Sequence, residues 1–387
     1  METQEKDRLY FLDGLRGWGA VAVLNGHLFV LFLFKDSPFA QHAFKVVPFL
    51  FDGTQAVFLF FVVSGFALTT PYFRGGRKSH FLVEGAVKRY PRLTIPIICS
   101  SLIAYVLMSL RLIHRDSAAG SVSALGWLET LYLFEPDFVH FLWFSIFDVY
   151  ANFKVTHSYN VVLWTMSIEL AGSLIVFGFL GLFGRWRFRL VAYLFAVALL
   201  LRSPFLPFIV GTILAEVYWR TLALPTKLNN LDNWLRNSPW ASLVLLTMAV
   251  LFWLLGNISL APPYLYFRTI AGMTLIGGTL VAAAMYSGSV GLFFSSPLSR
   301  TLGKLSFSLY LVHFPIICSW SAWLYVRLLT EEFHLGLVRI LVGISTLLFV
   351  VFLSYFFQKL VDAPSLSLSR WLGKKSIRAG QRYSYLS

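Results

Sequence analysis

Charge is scarce in this chain. Only 13% of its 387 residues are Asp, Glu, Lys or Arg, against about 25% in an average soluble domain. So little charge excludes an ordinary soluble surface. Acidic residues are scarcer still, 18 against 32 Lys and Arg. Cysteine is nearly missing. Cys99 and Cys318 both lie inside apolar runs, which excludes a disulfide framework and any Cys-based metal spacing. There is no internal repeat, low-complexity tract or hydrophilic stretch of domain length. That excludes a solenoid, a long linker and a separate soluble domain.

Apolar residues fill the space instead. They make up 57% of the chain, the mean hydropathy is +0.70, and Phe alone occurs 38 times beside 12 Trp and 17 Tyr. Phe costs little in lipid, and Trp and Tyr suit the headgroup level. The composition predicts an all-α, polytopic integral membrane protein of about ten transmembrane helices, a single domain over 1–387. Runs long enough to cross a bilayer fall at 17–34, 50–70, 95–113, 161–183, 190–203, 205–219, 240–256, 269–287, 305–326 and 338–357. The fifth and sixth are short, with Pro204 and Pro207 between them, and read as a tight hairpin or a re-entrant pair. The mixed charges of the first ten residues and the absence of a small-residue cleavage site predict that the first run is kept as a helix.

Lys and Arg set the orientation. With alternating spans and a cytoplasmic N-terminus, the cytoplasmic side collects Arg74, Arg77, Lys78, Lys88, Arg89 and Arg92, then Arg185, Arg187 and Arg189. It also collects a basic tail from about 359 onward. The positive-inside rule therefore predicts both termini in the cytoplasm. The net charge of +14 reads as basic loops against a bilayer, not as a nucleic-acid surface. The longest loop, about 114–160, falls outside. Its many aromatics predict partial re-entry or an interfacial helix.

Ionisable residues at bilayer depth are costly and mark function by default. His27, Glu169 and His313 stand out, although any one of them could be a buried group bonded for packing. His27 follows Arg16 by eleven residues. On an α-helix this returns to within about 20° of the same face and rises about 16 Å. Arg16 would then sit at the lip of the membrane with His27 above it. Arg89 and Arg92, beside Lys88, share one helix face. They read either as a positive-inside anchor or as a phosphate clamp, with Pro91 and Pro96 expected to break the helix there. No His, Cys, Asp or Glu spacing predicts a metal.

Taken in order, the motifs resemble acyltransferase family 3, the membrane acyltransferases that include O-antigen and nodulation-factor acetylases. Tyr10-Phe11-Leu12-Asp13-Gly14-Leu15-Arg16-Gly17 with His27 is similar to the family's opening signature. Phe60-Phe61-Val62-Val63-Ser64-Gly65-Phe66 resembles its second-helix motif, although Phe58 stands where many relatives have a polar or acidic residue. Arg89-x-x-Arg92 with Pro96, Leu163-Trp164-Thr165 with Glu169, Ser308-Leu309-Tyr310-x-x-His313 and Val361-Asp362-Ala363-Pro364 resemble the later motifs. The wording around Glu169 is most like fungal members. The resemblance implies ten helices and transfer of an acyl group from acyl-CoA, most commonly acetyl-CoA, to an acceptor hydroxyl. It implies that His27 is catalytic, that Arg16 supports it, and that Arg89 and Arg92, with Lys88 beside them, hold the donor.

The donor is a thioester, so no nucleophilic side chain is required. A base must take the acceptor's proton. Glu169 could orient His27 or bind the acceptor, His313 or Tyr310 could donate to the carbonyl oxygen, and an acyl-histidine intermediate is also open. His27, Glu169 and His313 are predicted to line one cavity that opens near Arg16, Arg89 and Arg92. The competing reading is a transporter of a lipid or small hydrophobic solute, with the same residues lining its path. Acceptor identity, acyl length and oligomeric state are not legible.

Overall fold

The apolar runs fold as helices because a bilayer offers the backbone no other partner for its N–H and C=O groups. The computed structural model describes residues 9–34, 48–114, 131–223, 244–251, 270–286 and 288–384, all of them helix or irregular loop, with no strand. Six helical stretches among the described residues are long and apolar enough to cross a membrane, or seven if one bent pair counts as a span. The expected count of about ten is not confirmed among the described residues.

The first stretch is α1 (Tyr10–Asn25), which widens into a π-helical segment over Gly26–Leu33. After it come α2 (Gly53–Arg74) and α3 (His80–Ser109). Pro91 and Pro96 do not break α3, which continues through both. Transmembrane helices tolerate proline where neighbours re-satisfy the freed carbonyls.

The loop predicted to lie outside dips back along α3. The α4 helix (Phe138–Trp143) and the wound segment after it, to Ala151, form one apolar stretch. It starts where Phe141 stacks on Tyr105 and ends where Tyr150 bonds Thr94 at 2.9 Å. Tyr90 bonds the Ile146 carbonyl along the way. The chain then returns to Asn160, whose amide donates to Ser100 and to the Leu311 carbonyl, both at 2.8 Å. The segment thus packs along α3, an arrangement common to a re-entrant and an interfacial helix; 115–130 lie outside the described residues.

Next is α5 (Trp164–Phe183), then α6 (Arg189–Leu200) and α7 (Leu206–Ala223). The α6 helix has 12 residues, about 18 Å, too short for a core about 30 Å thick. It forms a tight hairpin with α7. Its outer face is bare, with Leu190, Leu194, Phe195 and Leu199 each more than 65% exposed, as lipid contact requires. The predicted span at 240–256 is described only as a helical segment over 244–251. The α8 helix (Ile270–Tyr286) turns through 103° into α9 (Gly288–Phe294). Two long composite helices follow. The first is α10 (Pro297–Ile316), a π-helical turn, and α11 (Ala322–Thr330). The second is α12 (Leu335–Phe357), another π-helical turn over Gln358–Asp362, and α13 (Ala363–Ser384).

Two close helix crossings fix the geometry. A Cβ on Gly17 would lie 2.6 Å from the Gly303 backbone nitrogen, so α1 and α10 meet backbone to backbone. A Cβ on Gly211 would lie 2.0 Å from the Val62 carbonyl oxygen, so α2 and α7 do the same. Lipid supplies no hydrophobic drive between helices, and such contacts gain their energy from close van der Waals packing.

Sequence reading missed one buried acid. Glu216 on α7, 7% exposed, accepts from Arg77 at 2.8 Å, Arg189 at 2.6 Å and Tyr193 at 2.9 Å. It ties α7 to the loop after α2 and to the start of α6. Gly17→Leu should force α1 off α10 and cost about 1–3 kcal/mol by overpacking. A lowered melting temperature of the detergent-solubilised protein checks this, with Gly178→Leu, where a Cβ would meet nothing within 4 Å, as the neutral control.

Candidate active site

The α1–α10 crossing brings two histidines together. His27 lies in the π-helical part of the first stretch, and such wide turns recur at functional sites. His313 lies on α10 and is fully buried. His27 Nδ1 and His313 Nε2 are 3.1 Å apart. His313 Nδ1 lies 3.0 Å from the Leu309 carbonyl oxygen, which can only accept. With both rings neutral, His313 therefore carries its proton on Nδ1 and accepts at Nε2, and His27 donates from Nδ1. That leaves the lone pair of His27 on Nε2.

Two cavities meet beside this pair. The first, of about 110 Å³, is lined by Arg16, Arg89, Arg92, Glu169, Ser64, Thr165 and Ser306, with Phe60, Phe307 and Tyr310 among its apolar walls. The second, of about 210 Å³, is lined by His27 with Asp52, Thr54, Trp164, Leu31 and Phe51. Val57 and Tyr310 line both. The expected single cavity is thus divided. Glu169 faces the arginines, His27 faces the second chamber, and His313 stands behind His27 and lines neither.

Each arginine of the pair has a carboxylate. Arg89 binds Glu169, which also accepts from Ser64 at 2.8 Å. Arg92 binds Asp362, donates to Ser365 at 2.9 Å, and lies over the Phe307 ring at 5.1 Å. Arg16 has no ion pair among the described residues. Lys88 pairs with Glu84, one turn back on its own helix, at 3.0 Å and does not line the cavity. Tyr310 lies at the divide, but its hydroxyl donates to the Val162 carbonyl at 2.7 Å and bonds Thr165 at 2.9 Å. Its proton is committed to the wall.

Sequence reading passed over Ser64 and Asp362 as site residues. Both sat inside quoted motifs, and their pairing with Glu169 and Arg92 is a contact between helices far apart in sequence. Asp52, at the N-cap of α2 where it accepts from the Gln55 amide at 2.9 Å, gave no signal beyond its type. Among the described residues no group of His, Cys, Asp and Glu could hold a metal ion.

The family model for an acyltransferase domain matches residues 9–358. The chain belongs to acyltransferase family 3. It is therefore an acyltransferase, and the transporter reading is not favoured. It is also similar to the O-acetyltransferase PaAT-1 of Phomopsis amygdali, with 22% identity covering 96% of this chain and 86% of that one. No solved structure matches it significantly.

The paired charges make a stability prediction. Arg92→Ala leaves Asp362 buried without its partner and should cost about 3–5 kcal/mol. Arg92→Ala with Asp362→Ala should recover much of that loss. Thermal unfolding of the two single variants and the double variant measures the coupling.

Proposed function

We propose that this acyltransferase moves an acyl group, most simply acetyl, from acyl-CoA to an acceptor hydroxyl, with His27 as the general base. The observation that carries this is the placement of His27 Nε2. Its other nitrogen is held by His313, so the ring is fixed, and the remaining lone pair belongs to a ring that lines a chamber next to a cationic cavity.

In this reading the donor occupies the first cavity. Its phosphates meet Arg16, with Arg89 and Arg92 shaping the walls, and its pantetheine arm passes Val57 and Tyr310 to reach His27. The acceptor hydroxyl attacks the thioester carbonyl carbon while His27 takes its proton. The C–S bond breaks and the thiolate leaves, to be protonated as free CoA. His313 orients the base, a role that suits its burial behind His27 better than donation to the carbonyl oxygen. Glu169 holds Arg89. The relative's printed activity as an O-acetyltransferase supports hydroxyl as the acceptor group and acetyl as the cargo.

Orientation follows the basic residues: N-terminus, the turn between α2 and α3 and the C-terminal tail on the cytoplasmic side, where acyl-CoA is made. An even number of spans, near ten, fits this. Single cysteines at 78 and 375 should label from the cytoplasmic side only, and labelling from opposite sides would overturn the arrangement.

His27→Ala should lower kcat by about 10²–10⁴-fold with little loss of folded protein, and His27→Gln should not restore it, because an amide nitrogen is no base. His313→Ala should also lower kcat while leaving the acyl-CoA KM within about twofold, as removal of an orienting partner acts on the transition state. Arg16→Ala should act the other way and raise the acyl-CoA KM. An unchanged rate in His27→Ala would refute the base assignment.

A further inference from the structure

The two cavities differ in chemistry. The donor side presents three arginines, a carboxylate and four hydroxyl side chains, one of them that of Tyr310. The His27 chamber presents few groups that can bond a hydroxyl-rich ligand. Asp52 already caps α2 through Gln55. The Tyr310 hydroxyl is turned into the wall. Besides His27 and Tyr310, the polar side chains of the lining are those of Thr54, Asp52 and Trp164.

A third cavity, of about 120 Å³, lies on the other side of Asp52, which lines both. Its walls come from α1, α2, the 244–251 segment and α8. They are apolar apart from Asp52 and Gln55, and the Gln55 amide is spent on the Met273 carbonyl at 2.9 Å. The rim of the His27 chamber carries Leu31 and Trp164, 39% and 40% exposed. Leu31 lies two residues before the end of the membrane-length stretch Tyr10–Leu33 and Trp164 opens α5, so this rim sits at the ends of two apolar helices.

A buried hydroxyl without a partner is penalised, so a free sugar, with several hydroxyls beside the reacting one, fits this lining poorly. An alcohol with an apolar body fits it well, and burial of that body is favourable. Resting on the acyl-transfer reading above, we infer that the acceptor is a bilayer-soluble alcohol of predominantly apolar body. It enters past Leu31 and Trp164, its hydroxyl meets His27, and its body extends past Asp52 into the apolar cavity. Its oxygen forms the new bond to the acyl carbon, the sulfur leaves, and the proton taken by His27 passes out of the site.

The test compares three strains of the native host: lacking the chain, carrying it, and carrying His27→Ala. Each extract is partitioned between an organic solvent and water, and both phases are profiled by mass spectrometry. The expected result is a His27-dependent ester in the organic phase, on a carbon-rich body with few other hydroxyls. A His27-dependent ester on a free sugar or glycan in the aqueous phase would overturn the inference while leaving acyl transfer intact. No His27-dependent ester in either phase would overturn acyl transfer itself. In membranes, Ile276→Trp and, from the facing wall, Leu246→Trp should each fill the apolar cavity. Each should raise the KM for the identified alcohol at least about tenfold while the acyl-CoA KM stays within about twofold. If every variant that accumulates as folded protein leaves the alcohol KM unchanged, the body does not lie there.

Discussion

A charge buried among apolar helices must find an opposite charge or a water-accessible cavity, and this structure is organised around that constraint. Arg89 meets Glu169, Arg92 meets Asp362, and Arg77 and Arg189 meet Glu216. Each pair joins elements that no local interaction would bring together. The first ties α3 to α5, and the second ties α3 to the turn before α13. The third ties α7 to α6 and to the loop that follows α2. Removing one member would strand the other in a low-dielectric setting, a far larger loss than the pair gains when intact. The pairs therefore specify one arrangement of helices more than they add stability.

Against that frame the glycine crossings supply precision. Because α1 and α10 touch backbone to backbone at Gly17 and Gly303, the two histidines further along the same helices come within 3.1 Å. The π-helical widening over Gly26–Leu33 changes the register after Asn25. His27 lies within this widened segment. It faces a neighbouring chamber, divided from the arginine cavity by Val57 and Tyr310. In the proposed acyl transfer, such a partition would keep an ionic donor and a less polar acceptor apart until their reacting atoms meet.

The satisfied state of Arg89 and Arg92 reshapes the donor clamp that their spacing suggests. Two arginines already bonded to carboxylates supply shape and hydrogen-bonding direction, with little net charge. Arg16, without an ion pair among the described residues, is the cation on which the proposed phosphate contact rests. The wall beside it is lined by Ser306 and Phe307 of α10, the same helix that carries His313. The arginine cavity and the histidine pair thus share elements, α1 and α10.

Much was legible before any coordinates. Scarce charge and abundant Phe gave the membrane class, because the cost of placing polar groups in lipid acts residue by residue. The order of short motifs gave the family, and the rarity of ionisable residues inside apolar runs singled out His27, Glu169 and His313. Tertiary structure alone decided their partners. That Glu169 holds Arg89 and not His27, that Asp362 serves Arg92, that Glu216 matters at all and that α3 runs through two prolines depend on which helices touch and in what register. Those contacts join residues more than a hundred positions apart in several cases. They are set by van der Waals fit and charge pairing between helices, and neither leaves a periodic trace in one sequence.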